Sequence, residues 1–174
     1  MNTFDCLFNR KSVKSYNGEK ISDDLLDKII LAANASPGGM GRYDNMHLTV
    51  IQNKDMINLI DAEAAKFFGN PSSHPLYGAP TLVLVSTKIE KANVSYSNAA
   101  IMVHNMAIAA TDLNVGSCYI WGAVAALNEN PKLIEKLNLP EGFTPCCGII
   151  LGKFDGKYEE RNIQSTRVTS NYIL

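Results

Sequence analysis

A short polar segment near the start of the chain, Arg10 to Tyr16, combines cationic and hydroxyl side chains. The guanidinium of Arg10 presents a planar fork of N–H donors, which matches the geometry of a phosphate group better than a lysine ammonium does. The segment is therefore a candidate site for a phosphate ester. Alternatively, Arg10 and Lys11 only complement the dipole of a short helix that ends before them.

The cysteines and histidines do not form a recognisable reactive or metal-binding pattern. The four cysteines lack both the paired spacing of zinc sites and the density of secreted disulfide scaffolds. We expect reduced, mostly buried thiols, and we expect Cys146 and Cys147 to point to opposite faces of a strand. The three scattered histidines predict no metal site. These residues are Cys6, Cys118, Cys146, Cys147, His47, His74 and His104.

The composition is that of a globular protein. The chain has 174 residues, of which 46% are hydrophobic and 19% charged, so we expect a single domain over residues 1–174. A formal net charge of -1 predicts no nucleic-acid partner. No apolar run approaches the roughly 20 residues that cross a bilayer, and the first residues lack the apolar core of a signal peptide. We therefore expect a cytoplasmic protein with no membrane partner.

Helices and strands that could position the polar segment alternate along the chain, which predicts a layered α/β or α+β fold. Helices are predicted at 3–9 with Thr3 as N-cap, and at 22–35, 54–68, 95–114 and 131–137. Strands are predicted at 47–52, 81–85, 116–121 and 146–151, the second being the candidate central strand. The tail from residue 153 is predicted to be irregular.

Two segments are more apolar than expected for segments exposed to solvent in a monomer. The predicted helix 95–114 is apolar almost all round, so it must be buried either in the monomer or in a subunit interface. The tail ends in Tyr172, Ile173 and Leu174 after a long polar stretch. An apolar terminus often docks on another surface, and a partner subunit is our expectation.

In their order along the chain, these features resemble the nitroreductase family of flavoproteins. The resemblance spans nearly all of the chain, and no single feature carries it. The series consists of a first helix followed by residues 10–16, a helix ending at 32–37, Tyr77 to Pro80 before the apolar strand, the run 98–118, and Leu139 to Phe143 before 151–154.

The resemblance implies an α+β, three-layer fold with a central, mainly antiparallel sheet flanked by helices. It also implies an intertwined homodimer that binds two FMN molecules at the subunit interface. In such proteins NADH or NADPH reduces the flavin, leaves, and is replaced by a small acceptor such as a nitro compound, quinone or enone. The expected function is therefore an NAD(P)H-dependent FMN oxidoreductase with a ping-pong mechanism, in which flavin N5, not a side chain, does the chemistry.

Residue by residue, the resemblance implies that Arg10 grips the FMN phosphate. Ser12 would bond ribityl or phosphate oxygens, and Lys14 would reach the ribityl chain or the ring. Lys11 has a lesser role, since adjacent side chains diverge. A second phosphate cation is expected from the C-terminal region, where the candidates are Arg161 and Arg167; alternatively, both belong to a solvated charged tail.

Further flavin contacts are implied elsewhere in the chain. Ser36, Pro37 and Gly38 would pass their backbone along the flavin, or only stop a helix. Residues 40–47 depart from the family pattern, and Asn45 is the polar residue there that could replace the usual ring contact. Strand residues Tyr119 and Trp121 would line the flavin, although aromatic strand residues are more often core. Glu141 and Gly142 would place an N–H near flavin N5, or form a plain turn. Cys118 is not expected to be catalytic.

Two alternative functions fit the same sequence. One is an FMN storage or sensor protein with little turnover. The other keeps the fold but changes the chemistry, as in family members that reductively remove halide or fragment the flavin. Those members usually carry an added lid, and this chain shows no long insertion.

Overall fold

Two apolar strands form the middle of an antiparallel sheet in the order β1-β2-β4-β3. The structure, a computed structural model, describes residues 1–173, so the expectation for Leu174 falls outside the described residues. The strands are β1 (Met46–Ile51), β2 (Thr81–Lys88), β3 (Gly116–Ile120) and β4 (Phe143–Gly152). The predicted central strand is confirmed, because β2 is paired on both sides and its residues 81–87 are buried.

Helices cover both faces of the sheet. They are α1 (Thr3–Asn9), α2 (Asp23–Asn34), α3 (Lys54–Phe67), α4 (Ala92–Asp112), α5 (Gly122–Asn128) and α6 (Pro131–Glu135). Val83, Val85 and Ile149 pack with α2 and α4 on one face, while Leu82, Leu84 and Ile150 pack with α3 and α5 on the other. The expected three-layer α+β fold with a central antiparallel sheet is therefore confirmed.

The two adjacent cysteines of β4 do not point to opposite faces, so that expectation is wrong. The pairing of β4 with β2 shifts between Val85 and Ser86, where Cys147 pairs with Val85 and Pro145 pairs with Ser86. Cys146 is the extra residue of this β-bulge, which turns its side chain to the face that Cys147 already occupies. All four cysteines are free and buried, as expected.

Several element boundaries differ from the sequence predictions. Asn2, not Thr3, is the N-cap of α1, because its side chain accepts the N–H of Asp5 while the Asp5 carboxylate accepts the N–H of Asn2. Helix α5 was not predicted, since its short, almost wholly apolar sequence resembles a continuation of β3. The tail contains a 3₁₀ turn, Ser165–Arg167, where no structure was predicted.

Helix α4 is covered by its own chain on one side only. Ala99, Val103 and Met106 are fully buried against α2 and the sheet. On the other side, Tyr96, Ile101 and His104 are exposed in the single chain. Within residues 1–173, no helix is both long enough and apolar enough to cross a membrane.

We predict that Ile60→Ala lowers the free energy of unfolding by about 2–5 kcal/mol, because it leaves a cavity between α3 and the sheet. Ile60 is 1% exposed. The matched control on the same helix is Leu59→Ala, at a residue that is 44% exposed and should lose less than about 1 kcal/mol. Urea denaturation of both variants at one protein concentration measures the difference; equal losses would contradict the assigned packing of α3.

Candidate functional site

The polar segment after α1 runs beside β3, and this position orients its side chains. The N–H of Val13 donates to the carbonyl oxygen of Ser117 at 2.8 Å, and the Val13 side chain is buried. Alternate residues of an extended segment face opposite ways, so Ser12 and Lys14 are turned outward while Val13 is turned into the protein. The strand pairing therefore presents a hydroxyl and an ammonium on the exposed side of the β3 edge.

Cys118 on β3 lies close to the three side chains proposed to hold the anion. Burial raises the pKa of its thiol, although the Ser12 hydroxyl and the charges of Lys14 and Arg10 act in the opposite direction. Since burial has the larger effect, Cys118 stays protonated at neutral pH and remains a poor candidate for a nucleophile. Arg10, Ser12 and Lys14 therefore all lie within electrostatic range of Cys118.

Lys11 points away from this group. Its Nζ donates to the carbonyl oxygen of Lys157 at 3.1 Å and lies 5.8 Å from the ring centre of Phe154 and 6.0 Å from that of Tyr158. These contacts hold the segment after β4 against the polar segment. Lys11 therefore stabilises the surroundings of the candidate site in the single chain, while its predicted contact with the cofactor stays a prediction.

Arg161 joins the C-terminal segment to the end of α1. Its Nε donates to the carbonyl oxygen of Phe8 and its Nη2 to that of Leu7, both at 3.0 Å. Those carbonyls belong to the last turn of α1, whose partial negative charge favours a cation. Burial lowers the pKa of Arg161, and the charges of Arg10 and Arg167 lower it further. Arg161 therefore lies within electrostatic range of both Arg10 and Arg167, and we call these three residues the arginine cluster.

The charge of the arginine cluster is not neutralised by an acidic side chain in the described part of the chain. Within residues 1–173, none of the salt bridges involves one of its three members. Placing three guanidinium groups together is unfavourable unless an anion joins them, because like charges repel. Of the two C-terminal candidates of the sequence analysis, Arg161 lies within electrostatic range of Arg10, and Arg167 lies within range of Arg161.

The loop after α2 is fastened to α4 by two hydrogen bonds. The Ser36 hydroxyl accepts a hydrogen bond from Asn105 Nδ2 at 2.9 Å, and the Gly39 N–H donates to Asn98 Oδ1 at 3.1 Å. Pro37 and Gly38 lie between these two anchors. Two helical residues thus hold the backbone of the loop at a fixed place along α4.

Asn45 lies at the end of the same loop and has a partner in its own chain. Its Oδ1 accepts a hydrogen bond from Arg42 Nη2 at 3.4 Å, and the same guanidinium pairs with Asp44 and Glu90. This network orders the loop before β1. The predicted contact of Asn45 with a flavin ring stays a prediction.

The remaining predicted site residues lie on two other parts of the surface. Tyr119 and Trp121, with Tyr96 and Ala100, line a shallow cavity of about 450 Å³ on the open side of α4. Glu141 and Gly142 precede β4, nine residues from Leu151, which pairs with Ser117 beside the polar segment. Nine residues of strand span roughly 30 Å. A single chain therefore does not bring Glu141 and Gly142 to Arg10.

Sequence reasoning missed a cavity that begins at Lys14. Lys14 Nζ lies 5.7 Å from the centre of the Tyr77 ring, and both residues line a cavity of about 1040 Å³. Tyr77 has a φ of 53°, which is uncommon for a residue other than glycine and occurs often at functional sites. The available signal was the run Tyr77-Gly78-Ala79-Pro80, which entered the sequence analysis only as one mark of the family resemblance.

Comparison with known proteins agrees with the fold and the order of these features. The model of the nitroreductase family matches residues 7–153. A protein of Methanothermobacter thermautotrophicus, provisionally named NADH dehydrogenase/NAD(P)H nitroreductase, is 27% identical over 161 residues, which is 87% of this chain and 77% of that protein.

Solved structures show the same fold. A nitroreductase with bound FMN from Desulfitobacterium hafniense has a TM-score of 0.87 at 23% identity, covering 99% of this chain and 100% of that one. A nitroreductase with bound FMN from Bacteroides fragilis has a TM-score of 0.85 at 23% identity, with the same coverage. Because the family match includes most of the chain, from the end of α1 to the end of β4, this protein belongs to the nitroreductase family.

Proposed function

We propose that the protein is an FMN-dependent oxidoreductase that takes electrons from NADH or NADPH and passes them to a small organic acceptor. The observation that carries the proposal is the arginine cluster, which lies beside Ser12 and Lys14 and has no acidic partner within residues 1–173. Membership of the nitroreductase family and the bound FMN of the two similar structures support it.

The chemistry of these donors fits the phosphate end of FMN. A phosphate monoester carries close to two negative charges, and guanidinium groups bind it through paired N–H donors. Within residues 1–173, the side-chain hydrogen bonds of the cluster are the two that Arg161 donates to α1, so the donors of Arg10 and Arg167 are available to a ligand. Two N–H donors of Arg161 are already bonded to α1, so this residue would contribute mainly its positive charge to phosphate binding. Ser12 would then bond the phosphate or ribityl oxygens.

FMN held by these residues would supply hydride transfer from the nicotinamide and two-electron transfer to an acceptor such as a nitro compound, quinone or enone. The protein's residues bind and orient the reactants. Lys14, at the end of the polar segment nearest the large cavity, places a positive charge where the ribityl chain or ring would lie. Such a fixed charge favours electron-rich states of a neighbouring ring without reorganising during the reaction. A ping-pong mechanism follows if donor and acceptor use this cavity in turn.

We also propose that the active form is a homodimer. Apolar side chains remain exposed in one chain on α1 (Phe4), on α4 (Ile101), at the end of β3 (Trp121) and in the tail (Ile173). Apolar patches of this kind mark protein interfaces, and a helix face that is open along its length suits a twofold contact. Such a contact would bring the loop at Ser36 and the turn at Gly142 of one chain towards the arginine cluster of the other.

The first prediction of this proposal concerns the visible spectrum. The purified protein, supplied with FMN, should be yellow and should bleach within seconds under anaerobic conditions when NADH or NADPH is added, because the nucleotide reduces the flavin. Addition of a quinone should restore the colour. A colourless protein that takes up no FMN would contradict the proposal. A yellow protein that neither nucleotide bleaches would instead favour the storage or sensor function.

A second prediction separates the roles of two arginines. Arg10→Gln should weaken FMN binding by roughly tenfold to a hundredfold, which corresponds to the loss of charge-assisted hydrogen bonds, and should leave the flavin-free melting temperature within about 1 °C. The comparison variant Arg161→Gln also removes two donors from α1 and should lower that melting temperature by roughly 2–4 °C. Fluorescence titration with FMN and calorimetry measure both effects. Equal FMN retention by Arg10→Gln and the unaltered protein would refute the assignment.

A third prediction concerns assembly. Light scattering should give twice the chain mass of 19.0 kDa, and Ile101→Asp should give a monomer that binds FMN at least tenfold less tightly. The carboxylate would be buried without a partner in the α4 interface. Leu59→Asp, at an exposed leucine of α3, is the control and should remain dimeric. A monomeric unaltered protein that still holds FMN would contradict a shared site.

A further inference from the structure

The large cavity beside Lys14 has a polar wall and an apolar floor. It lies between α3 and the loop that leads into β2, and its volume of about 1040 Å³ exceeds that of every other cavity described above. Ile57, Leu76 and Pro80 contribute apolar surface, and Phe68 closes the end towards Gly122. A cavity of this size accommodates a flat organic molecule of one to three rings.

One carboxylate of the cavity is fully engaged by its own chain. Asp61 Oδ1 accepts the N–H of Leu76 at 2.7 Å, and Asp61 Oδ2 bonds His74 Nδ1 at 2.9 Å. Asp61 is largely buried, whereas the imidazole of His74 is 79% exposed and retains Nε2 for another partner. The pair orders the loop and holds a hydrogen-bonding ring at the cavity edge.

The charges that remain on the cavity wall are positive. Lys14, Lys20 and Lys54 line it, and none of the three forms a salt bridge within residues 1–173. Among the described lining residues, Asp61 is the only acid. A ligand with an apolar body and a negative group is therefore complementary to this wall, since its body meets the floor and its charge meets the lysines.

We propose that this cavity is the acceptor site and that it selects planar organic anions, such as aromatic carboxylates or ionised phenols that also carry a reducible group. The proposal rests on the proposed function, because Lys14 belongs to both the polar segment and the cavity. Lys20 and Lys54 lie outside the polar segment and the arginine cluster, and their role is to favour the anion over a neutral ligand of the same shape.

The test uses a matched pair of ligands that are not reduced, 2-naphthoate and the neutral 2-naphthamide. Calorimetric titration of the FMN-loaded protein at low ionic strength, with no nucleotide present, should show naphthoate binding at least fivefold more tightly than naphthamide. In the double variant Lys20→Met/Lys54→Met, naphthoate binding should weaken roughly threefold to tenfold, as expected for two exposed charges, while naphthamide binding changes less than about twofold. Lys132→Met, on α6 away from the cavity, is the charge-matched control and should behave as the unaltered protein.

Each other outcome overturns the proposal. Equal binding of the two ligands, or binding of neither, would mean that the cavity does not prefer an anion. If the double variant still binds naphthoate more tightly than naphthamide by the same factor, the carboxylate does not bind near Lys20 and Lys54. Naphthoate binding that appears only after FMN is removed assigns the cavity to the flavin rather than to the acceptor. The titration requires no electron transfer, so it tests the anion preference alone. The proposed function would fail in a different experiment, in which the protein does not bind FMN or its flavin does not bleach with either nucleotide.

Discussion

The hydrogen bond from the Val13 N–H to the Ser117 carbonyl oxygen aligns the polar segment with β3, and the candidate site depends on this alignment. Buried Val13 fixes which side chains face outward, because a shift of one residue would turn Ser12 and Lys14 into the protein and Val13 into solvent. The alignment is in turn held by β3, whose neighbour β4 is buried on both faces. The orientation of the Ser12 and Lys14 side chains is thus set by apolar packing in the middle of the sheet.

The arginine cluster shows how the fold holds like charges together. Bringing Arg10, Arg161 and Arg167 close is unfavourable in the absence of an anion, and the lowered pKa of Arg161, caused first by burial and then by its two neighbours, reflects that cost. Two hydrogen bonds to the last carbonyls of α1 offset part of it, since a helix C-terminus carries partial negative charge. A bound dianion would remove the remaining repulsion among the three arginines. Binding of the anion and the stability of the folded C-terminal segment would therefore be coupled.

Much of the fold could be predicted from the sequence, because apolar periodicity determines which segments become strands and helices. The apolar run of β2 identified an interior strand, and Ser22 identified the start of α2. Features decided by one hydrogen bond or one extra residue could not be predicted in this way. Asn2 competes successfully with Thr3 as the cap through its reciprocal bond with Asp5, and the bulge at Cys146 becomes apparent only when β4 is paired with β2.

The candidate site was less predictable than the fold, since its parts are distant in sequence and, in one chain, also distant in space. The order of motifs indicated Arg10, but only the hydrogen bonds of Arg161 to α1 bring the C-terminal arginines to it. Gly142 lies at the far end of β4, roughly 30 Å along the strand from the residue beside the polar segment, and the loop at Ser36 is fastened to α4. In the proposed homodimer, a twofold contact through α4 would repeat every juxtaposition twice, so a segment that reached the partner's cluster would do so at two equivalent sites. The proposed homodimer would give the open apolar face of α4 and the divided polar site a common explanation, because each chain would supply half of two equivalent sites.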